Sequence, residues 1–403
     1  MSSPYGPVRD WATDFDHVDP SYNERAPEIW EELRRRCPVA HTERYGGAWL
    51  PVTHADVTAI AYDTDHFTSR SVVVSPGRPL APAPIGEAPP ITSDPPFHHE
   101  ARRLLLPAFA PRLIAPWEEE VRRLCNELLD AMGDVDVVDL ARQYAQHIPV
   151  NVIARMLGFP VEDSELFRQF VHEVLEAVDE PAEVRAASTE RLEAYIDAQI
   201  AAHAGRPPGD DLTAYLLDVE IFGEKLSHEH VRGTIILLLL AGIDTTWSAI
   251  GSSLWHLART PTDLARLVAE PSLVPTAMEE LLRAYAPVTM ARLVAAEVEL
   301  HGRRLAVDDW VLLPFPAANR DPAAFDRADE VVIDRAENRH SAFGLGIHRC
   351  LGSNLARLEL RVALEAVLAR FPRFELADPA AVTWSRGQIR GPRRLPVRIL
   401  QRS

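Results

Sequence analysis

Apolar residues recur every three to four positions through most of the chain. In PWEEEVRRLCNELLDAMG, Trp117, Val121, Leu124 and Leu128 mark one helical face. Pro116 suits a first turn, three glutamates follow it, and Gly133 ends the pattern. A second pattern begins at Ser227 and runs to about Arg259. These 33 residues amount to about 50 Å of helix at ~1.5 Å per residue. A helix of that length is expected to cross the molecule, and its apolar centre places it in the core. Strand-like alternation is short and late: VELHGRRLAVDDWVLLPF, Val298 to Phe315, reads as a hairpin with Gly302 near its turn. The balance is a mainly α fold with a small β region.

One stretch breaks the periodicity. Pro76 to Pro96 holds eight prolines in 21 positions and reads as a loop. Long loops inside compact domains are usually functional. No internal repeat or low-complexity linker divides the remainder, so one domain over residues 1–403 is expected.

Composition narrows the function. Hydrophobic residues make up 47% of the chain, enough for a large core, and the formal net charge is -17. That balance argues against nucleic acid as a partner and against a polybasic membrane anchor. The N-terminus lacks a basic segment followed by an apolar core. The longest apolar run, Ile235 to Ile243, falls short of the ~20 residues of a spanning helix. The expectation is a cytoplasmic protein outside the membrane. The three cysteines, Cys37, Cys125 and Cys350, are too few and too far apart for a disulfide framework or a CxxC metal pair.

Cys350 stands apart from the other two. It lies in FGLGIHRCLG, Phe343 to Gly352, behind glycines and a histidine, and opens a helical stretch. A buried cysteine is ordinarily a small hydrophobe. At a helix N-terminus its thiol is more acidic and suits a metal ligand. A thiolate on haem iron pushes electron density toward the opposite face and favours O–O cleavage there. Gly344, Gly346 and Gly352 would let the backbone approach a flat macrocycle, and Phe343 could cover the sulfur.

Other polar clusters need reasons too. AGIDTT, Ala241 to Thr246, puts Asp, Thr and Gly inside the apolar centre of the long helix, where they are poor helix formers. EELLR places Glu280 and Arg283 on one helical face, and DPPFHHEARR places His98 and Arg102 one turn apart. Read alone, these are a back-bonded helix, a surface ion pair and ordinary polar residues.

Together they resemble the cytochrome P450 family. FGLGIHRCLG is similar to its F-x-x-G-x-[RH]-x-C-x-G loop, AGIDTT to its [AG]-G-x-[DE]-T, EELLR to its E-x-x-R, and DPPFHHEARR to its D-P-P-x-H-x-x-x-R. The resemblance implies the cytochrome P450 fold, with a long central helix and a small β region. It implies haem b as cofactor and Cys350 as the iron ligand, with Phe343 and Gly344 in the loop around it. Thr245 would steady dioxygen, Asp244 would relay protons, and Ala241 and Gly242 would border the oxygen groove. His98, Arg102, Arg292 and His348 would hold the haem propionates. Glu280, Arg283 and Arg335 would form a structural salt-bridge network.

The implied activity is monooxygenation of a small or medium, largely apolar organic substrate, by hydroxylation or O-dealkylation. Electrons would come from a separate ferredoxin and an NAD(P)H-dependent ferredoxin reductase, with no reductase or ferredoxin domain fused to the chain. Val288, Thr289 and Met290 would form one pocket wall and the proline-rich loop 71–92 its roof. Ser71, Ser75 or Arg78 would be free to hold a carboxylate, so an aromatic acid stays open as substrate. Between Arg335 and Arg361 five arginines face two glutamates, a net +3 in a chain of net -17. That contrast points to an acidic electron donor docking on the cysteine side. Two alternatives stay open: a peroxide-driven haem-thiolate peroxygenase, which needs no acid–alcohol pair, and a non-catalytic haem-binding protein.

Overall fold

Helix starts and stops follow local chemistry. The helices that position the site are α1 (Pro20–Arg36), α2 (His54–Tyr62), α3 (Phe97–Leu105), α4 (Trp117–Ala131), α5 (His147–Leu157), α6 (His228–Arg259), α7 (Val274–Ala284) and α8 (Ser353–Arg370). The Ser227 side chain accepts from the His230 N–H and caps α6, whose 32 residues run unbroken. Pro116 precedes α4, and Glu118, Glu119 and Glu120 fill its first turn against the helix dipole. Gly158 ends α5 in a left-handed conformation at φ 74°. The structure is a computed structural model describing residues 5–74, 87–177, 180–209, 211–385 and 387–403.

The strands are β1 (Val39–Thr42), β2 (Ala48–Pro51), β3 (Phe67–Thr68), β4 (Val137–Asp139), β5 (Thr289–Val294), β6 (Trp310–Pro314), β7 (Arg373–Leu376) and β8 (Pro396–Gln401). One sheet has the order β1-β2-β6-β5-β3 and a smaller one the order β7-β8-β4. In β6 the side chains alternate between two cores. Trp310 and Leu312 pack toward α1 with Trp30 and Leu33, while Val311 and Leu313 pack toward α2 with Val57 and Ile60. This double burial corrects the expected hairpin. Only Val298–Leu300 and Arg303–Leu305 pair, through a turn with His301 at φ 51° and Gly302 at φ 71°. Residues 310–314 instead pair with β5, Leu312 opposite Ala291.

The largest core surrounds α6. Ile235, Leu239, Ile243 and Ile250 meet Ile153 of α5, Leu281 of α7 and Leu364 of α8. By length and composition α6 is apolar enough to cross a membrane, but 67% of its most apolar stretch is buried within the protein. Helix α2 meets the loop that carries Cys350 at Gly346, and α8 follows it.

Candidate active site

The loop before α8 is held by its own backbone. The Cys350 N–H donates to the Phe343 carbonyl at 2.7 Å, and the Gly344 N–H to the Ser341 carbonyl at 2.8 Å. Gly346 sits at φ 64°, and a Cβ there would overlap the Ala61 carbonyl of α2. This glycine is therefore explained by a protein contact, where the sequence pointed to the macrocycle. At Gly352 a Cβ would make only ordinary contact with Phe109, at 3.9 Å. Helix α8 begins at Ser353 with Gly352 as its cap, three residues past the cysteine. Cys350 is exposed. Protein still surrounds it deeply enough that desolvation pushes its thiol up, while the Gly352 N–H and Arg102, Arg349 and Arg357 pull it down.

Phe343 is fixed from behind by residues the motifs did not name. The Arg357 guanidinium lies 4.3 Å over its ring. Arg357 binds Glu279 at 2.6 and 3.0 Å, and Glu279 also meets His340 Nε2 at 2.9 Å. These partners hold the Glu279 carboxyl near 2 against the burial that would raise it.

Glu280 and Arg283, both fully buried, form a bidentate pair at 2.8 and 2.9 Å. Arg335 joins through Glu280 at 2.8 Å. Arg283 also donates to the carbonyls of Asn319, Ala328 and Glu330 at 2.7, 2.8 and 2.6 Å. Asn319 in turn accepts from both the N–H and the hydroxyl of Ser341, each at 2.7 Å. The three residues expected as a network thus form one, and it reaches the cysteine loop in two steps.

A cluster of two histidines and two arginines lies beside the cysteine. His98 and His348 rings meet edge to face at 4.4 Å, and Ser69 Oγ bonds His348 Nε2 at 2.8 Å. Arg102 donates to the Arg349 carbonyl at 2.5 Å. Arg292 is 4% exposed, and burial pulls its guanidinium down to about 10, with Asp94 opposing. Burial, then Arg102, His99 and Arg292, lowers His98 to about 4. Burial, then Arg292, His98 and Arg102, pulls His348 well below the usual histidine range. His98 is 1% exposed, yet neither ring nitrogen has a partner among the described residues. Buried donors of this kind ask for acceptors. A ligand with two carboxylates, such as a haem with its propionates, would fit His98 and the neighbouring arginines, with Cys350 available to hold its iron.

The helical motif splits across two faces of α6. Ala241 is exposed in the middle of a mostly buried helix, and Thr245 Oγ1 donates back to its carbonyl at 2.8 Å. At Gly242 a Cβ would press on Ile153 Cγ1 at 3.2 Å, so this glycine admits α5. Asp244, fully buried, points elsewhere. Its Oδ1 pairs with Arg393, which also pairs with Glu176, donates to Ser248 at 3.0 Å and lies 4.1 Å over the Trp247 ring. Asp244 Oδ2 has no partner among the described residues. Burial raises the Asp244 carboxyl to about 6, Arg393 opposing and Glu176 adding to the rise. Arg393 and Glu176 escaped the sequence reading because neither lies near AGIDTT in the chain.

The pocket-wall residues also divide. Val288 and Met290 are half-buried on the strand face that carries Arg292, whereas Thr289 is buried and alternates to the other face. Ser71 Oγ donates to the Val73 carbonyl at 3.2 Å, while Ser75, Arg78 and most of the proline-rich loop lie outside the described residues. The basic patch shrinks. Arg335 and Arg357 are engaged with Glu280 and Glu279, and Arg361 pairs with Glu118 at 2.6 Å and Glu365 at 3.1 Å. Arg339 and Arg349 stay exposed, with no ion pair among the described residues.

Known proteins share this family and fold. The family model for cytochrome P450 matches residues 81–379. The chain belongs to the cytochrome P450 family. Nocardicin C N-oxygenase from Nocardia uniformis subsp. tsuyamanensis is 35% identical over 91% of this chain and 92% of its own length. The 6-deoxyerythronolide B hydroxylase of Saccharopolyspora erythraea is 34% identical over 97% and 99%. The crystal structure of CYP109E1 from Bacillus megaterium in complex with testosterone superposes with a TM-score of 0.86 at 29% identity, covering 94% and 99%. This P450 is an oxidoreductase of the monooxygenase class with a haem-thiolate cofactor, and redox partner proteins serve its family in general.

Proposed function

We propose that this P450 binds haem b through Cys350 and inserts one oxygen atom of O2 into a small or medium, largely apolar organic substrate, by hydroxylation or O-dealkylation. Residues 1–403 act as one cytoplasmic domain, supplied with electrons by a ferredoxin and its NAD(P)H-dependent reductase. The observation that carries the reading is the exposed Cys350 beside Arg102, Arg292 and His348, with buried His98 leaving both ring nitrogens without a partner among the described residues. Held by Cys350, a haem would supply the dioxygen-activating chemistry.

The chain's own residues handle the proton. Asp244 Oδ2 lacks a partner, and burial brings its carboxyl to about 6, so it can hold and release a proton near neutral pH. Thr245 Oγ1 lies on the accessible face with Ala241, away from the Asp244 carboxyl, and is the hydroxyl that would meet dioxygen. Val288 and Met290 give the substrate an apolar wall. This acid–alcohol pair favours the O2-dependent reading over a peroxygenase. The named relatives act on nocardicin C and 6-deoxyerythronolide B, two unlike molecules, so they do not single out a substrate here.

The test is Thr245→Ala. It should consume reductant and O2 but divert much of the flux to hydrogen peroxide. Unchanged coupling of reductant to product would refute the role given to Thr245. Failure of any ligand to shift the haem spin state would favour a non-catalytic haem protein.

A further inference from the structure

The turn at 387–391 lies outside every motif, yet it is tied to two distant parts of the chain, 72–74 and 287–291. Gln388 is its centre. Its Oε1 accepts from the Val74 N–H at 2.8 Å, and its Nε2 donates to the Val72 carbonyl at 3.1 Å and the Thr289 carbonyl at 2.7 Å. Two carbonyls and one N–H fix which end of the amide is which. Backbone bonds continue the lacing: Ala291 N–H to the Val72 carbonyl at 3.0 Å, Thr289 N–H to the Gln388 carbonyl at 2.8 Å, and Arg390 N–H to the Pro287 carbonyl at 2.7 Å. Val288 and Ile389 face one another in an antiparallel bridge, so their side chains share a face.

We propose that Gln388 is a positioning residue for substrate selection: it holds Val72–Val74 and Ile389 in register with the Val288–Met290 wall. The proposal rests on that wall belonging to the substrate pocket. Among the described residues Gln388 makes no hydrogen bond to the cysteine loop, to His98, Arg102, Arg292 or His348, or to Asp244, so it acts through the segments it fixes. Register matters here because a slip of one residue turns a strand's side chains to the opposite face. No other side chain among the described residues bonds both the Val72–Val74 segment and β5.

The experiment compares the haem-loaded wild type with Gln388→Leu, and with Gln388→Glu and Gln388→Asn as milder changes should the first not fold. Hydrogen–deuterium exchange at Val74 reads the anchor. Calorimetric affinities for imidazole and 4-phenylimidazole read the pocket with a small and a bulky probe. In Gln388→Leu, exchange at Val74 should quicken about ten-fold or more, as expected for losing one or two hydrogen bonds. In Gln388→Glu, which keeps an acceptor for the Val74 N–H, it should change less. The ratio of 4-phenylimidazole to imidazole affinity should shift several-fold in Gln388→Leu, with the thiolate-type CO spectrum intact. Faster exchange with an unchanged ratio overturns the proposal, as does a changed ratio with unchanged exchange. A wild type without the thiolate-type CO spectrum would sink the haem reading, on which the two imidazole affinities also rest; exchange at Val74 does not depend on haem and so keeps the two failures apart.

Discussion

Asp244 and Arg393 form a buried ion pair although they lie 149 positions apart in the chain. The same guanidinium binds Glu176, so one cation is shared by two carboxylates. Burial drives Asp244 up from its ordinary 3.8 to about 6, and Arg393 pulls against that rise. Its stabilising contribution is therefore full below about 3.8 and is lost as pH climbs through about 6.

Removing Arg393 should push Asp244 higher still. The infrared carbonyl band of a protonated carboxyl, absent in Asp244→Asn, should fade near pH 6 in the wild type and persist to higher pH in Arg393→Leu. Identical titrations in the two proteins would remove Arg393 from the proton path.

Glu359 offers a stability test away from the cysteine. It is 2% exposed in α8, its Oε2 lacks a partner among the described residues, and burial raises it to about 8. A folded value above the ordinary 4.5 means the native state favours the neutral acid, so stability falls as pH rises from 4.5 toward 8. Glu359→Gln keeps the shape without the charge. Its melting temperature should match the wild type at pH 4 and exceed it increasingly up to pH 8. A constant difference across that range would contradict the assignment.

Electron delivery separates the arginines. Arg349 is exposed beside Cys350, while Arg361 is tied to Glu118 and Glu365. Arg349→Glu should slow reduction by a ferredoxin several-fold at low salt, an effect that shrinks as salt screens charge over ~8 Å. Arg361→Gln should leave the rate near that of the wild type. Stopped-flow reduction across a salt series checks both, and equal slowing by the two changes would restore the wider patch that the sequence suggested.

Legibility followed locality. The cysteine loop, the capped long helix and the Glu280–Arg283 spacing are short-range patterns, so the sequence carries them whole. Arg393, Glu176, Ser69 and Gln388 act across 145 positions or more for several of their bonds, and no periodicity marks them. Gly346 was readable as a special position but not for its reason, which is the Ala61 carbonyl brought there by α2. The hairpin was drawn too long because β6 is buried on both faces, so its apolar run carries no signal for its partner. The basic patch failed for a related reason: Glu118 and Glu279 come from α4 and α7 to pair arginines of the cysteine region.

The central claim is that Cys350 is the thiolate ligand of a haem. The most direct measurement is the CO difference spectrum of the reduced protein, taken for the wild type and for Cys350→Ser. The wild type should show the red-shifted thiolate-type band, and Cys350→Ser should lose haem or show only the band of a non-thiolate ligand. A thiolate-type band that survives in Cys350→Ser would contradict the account.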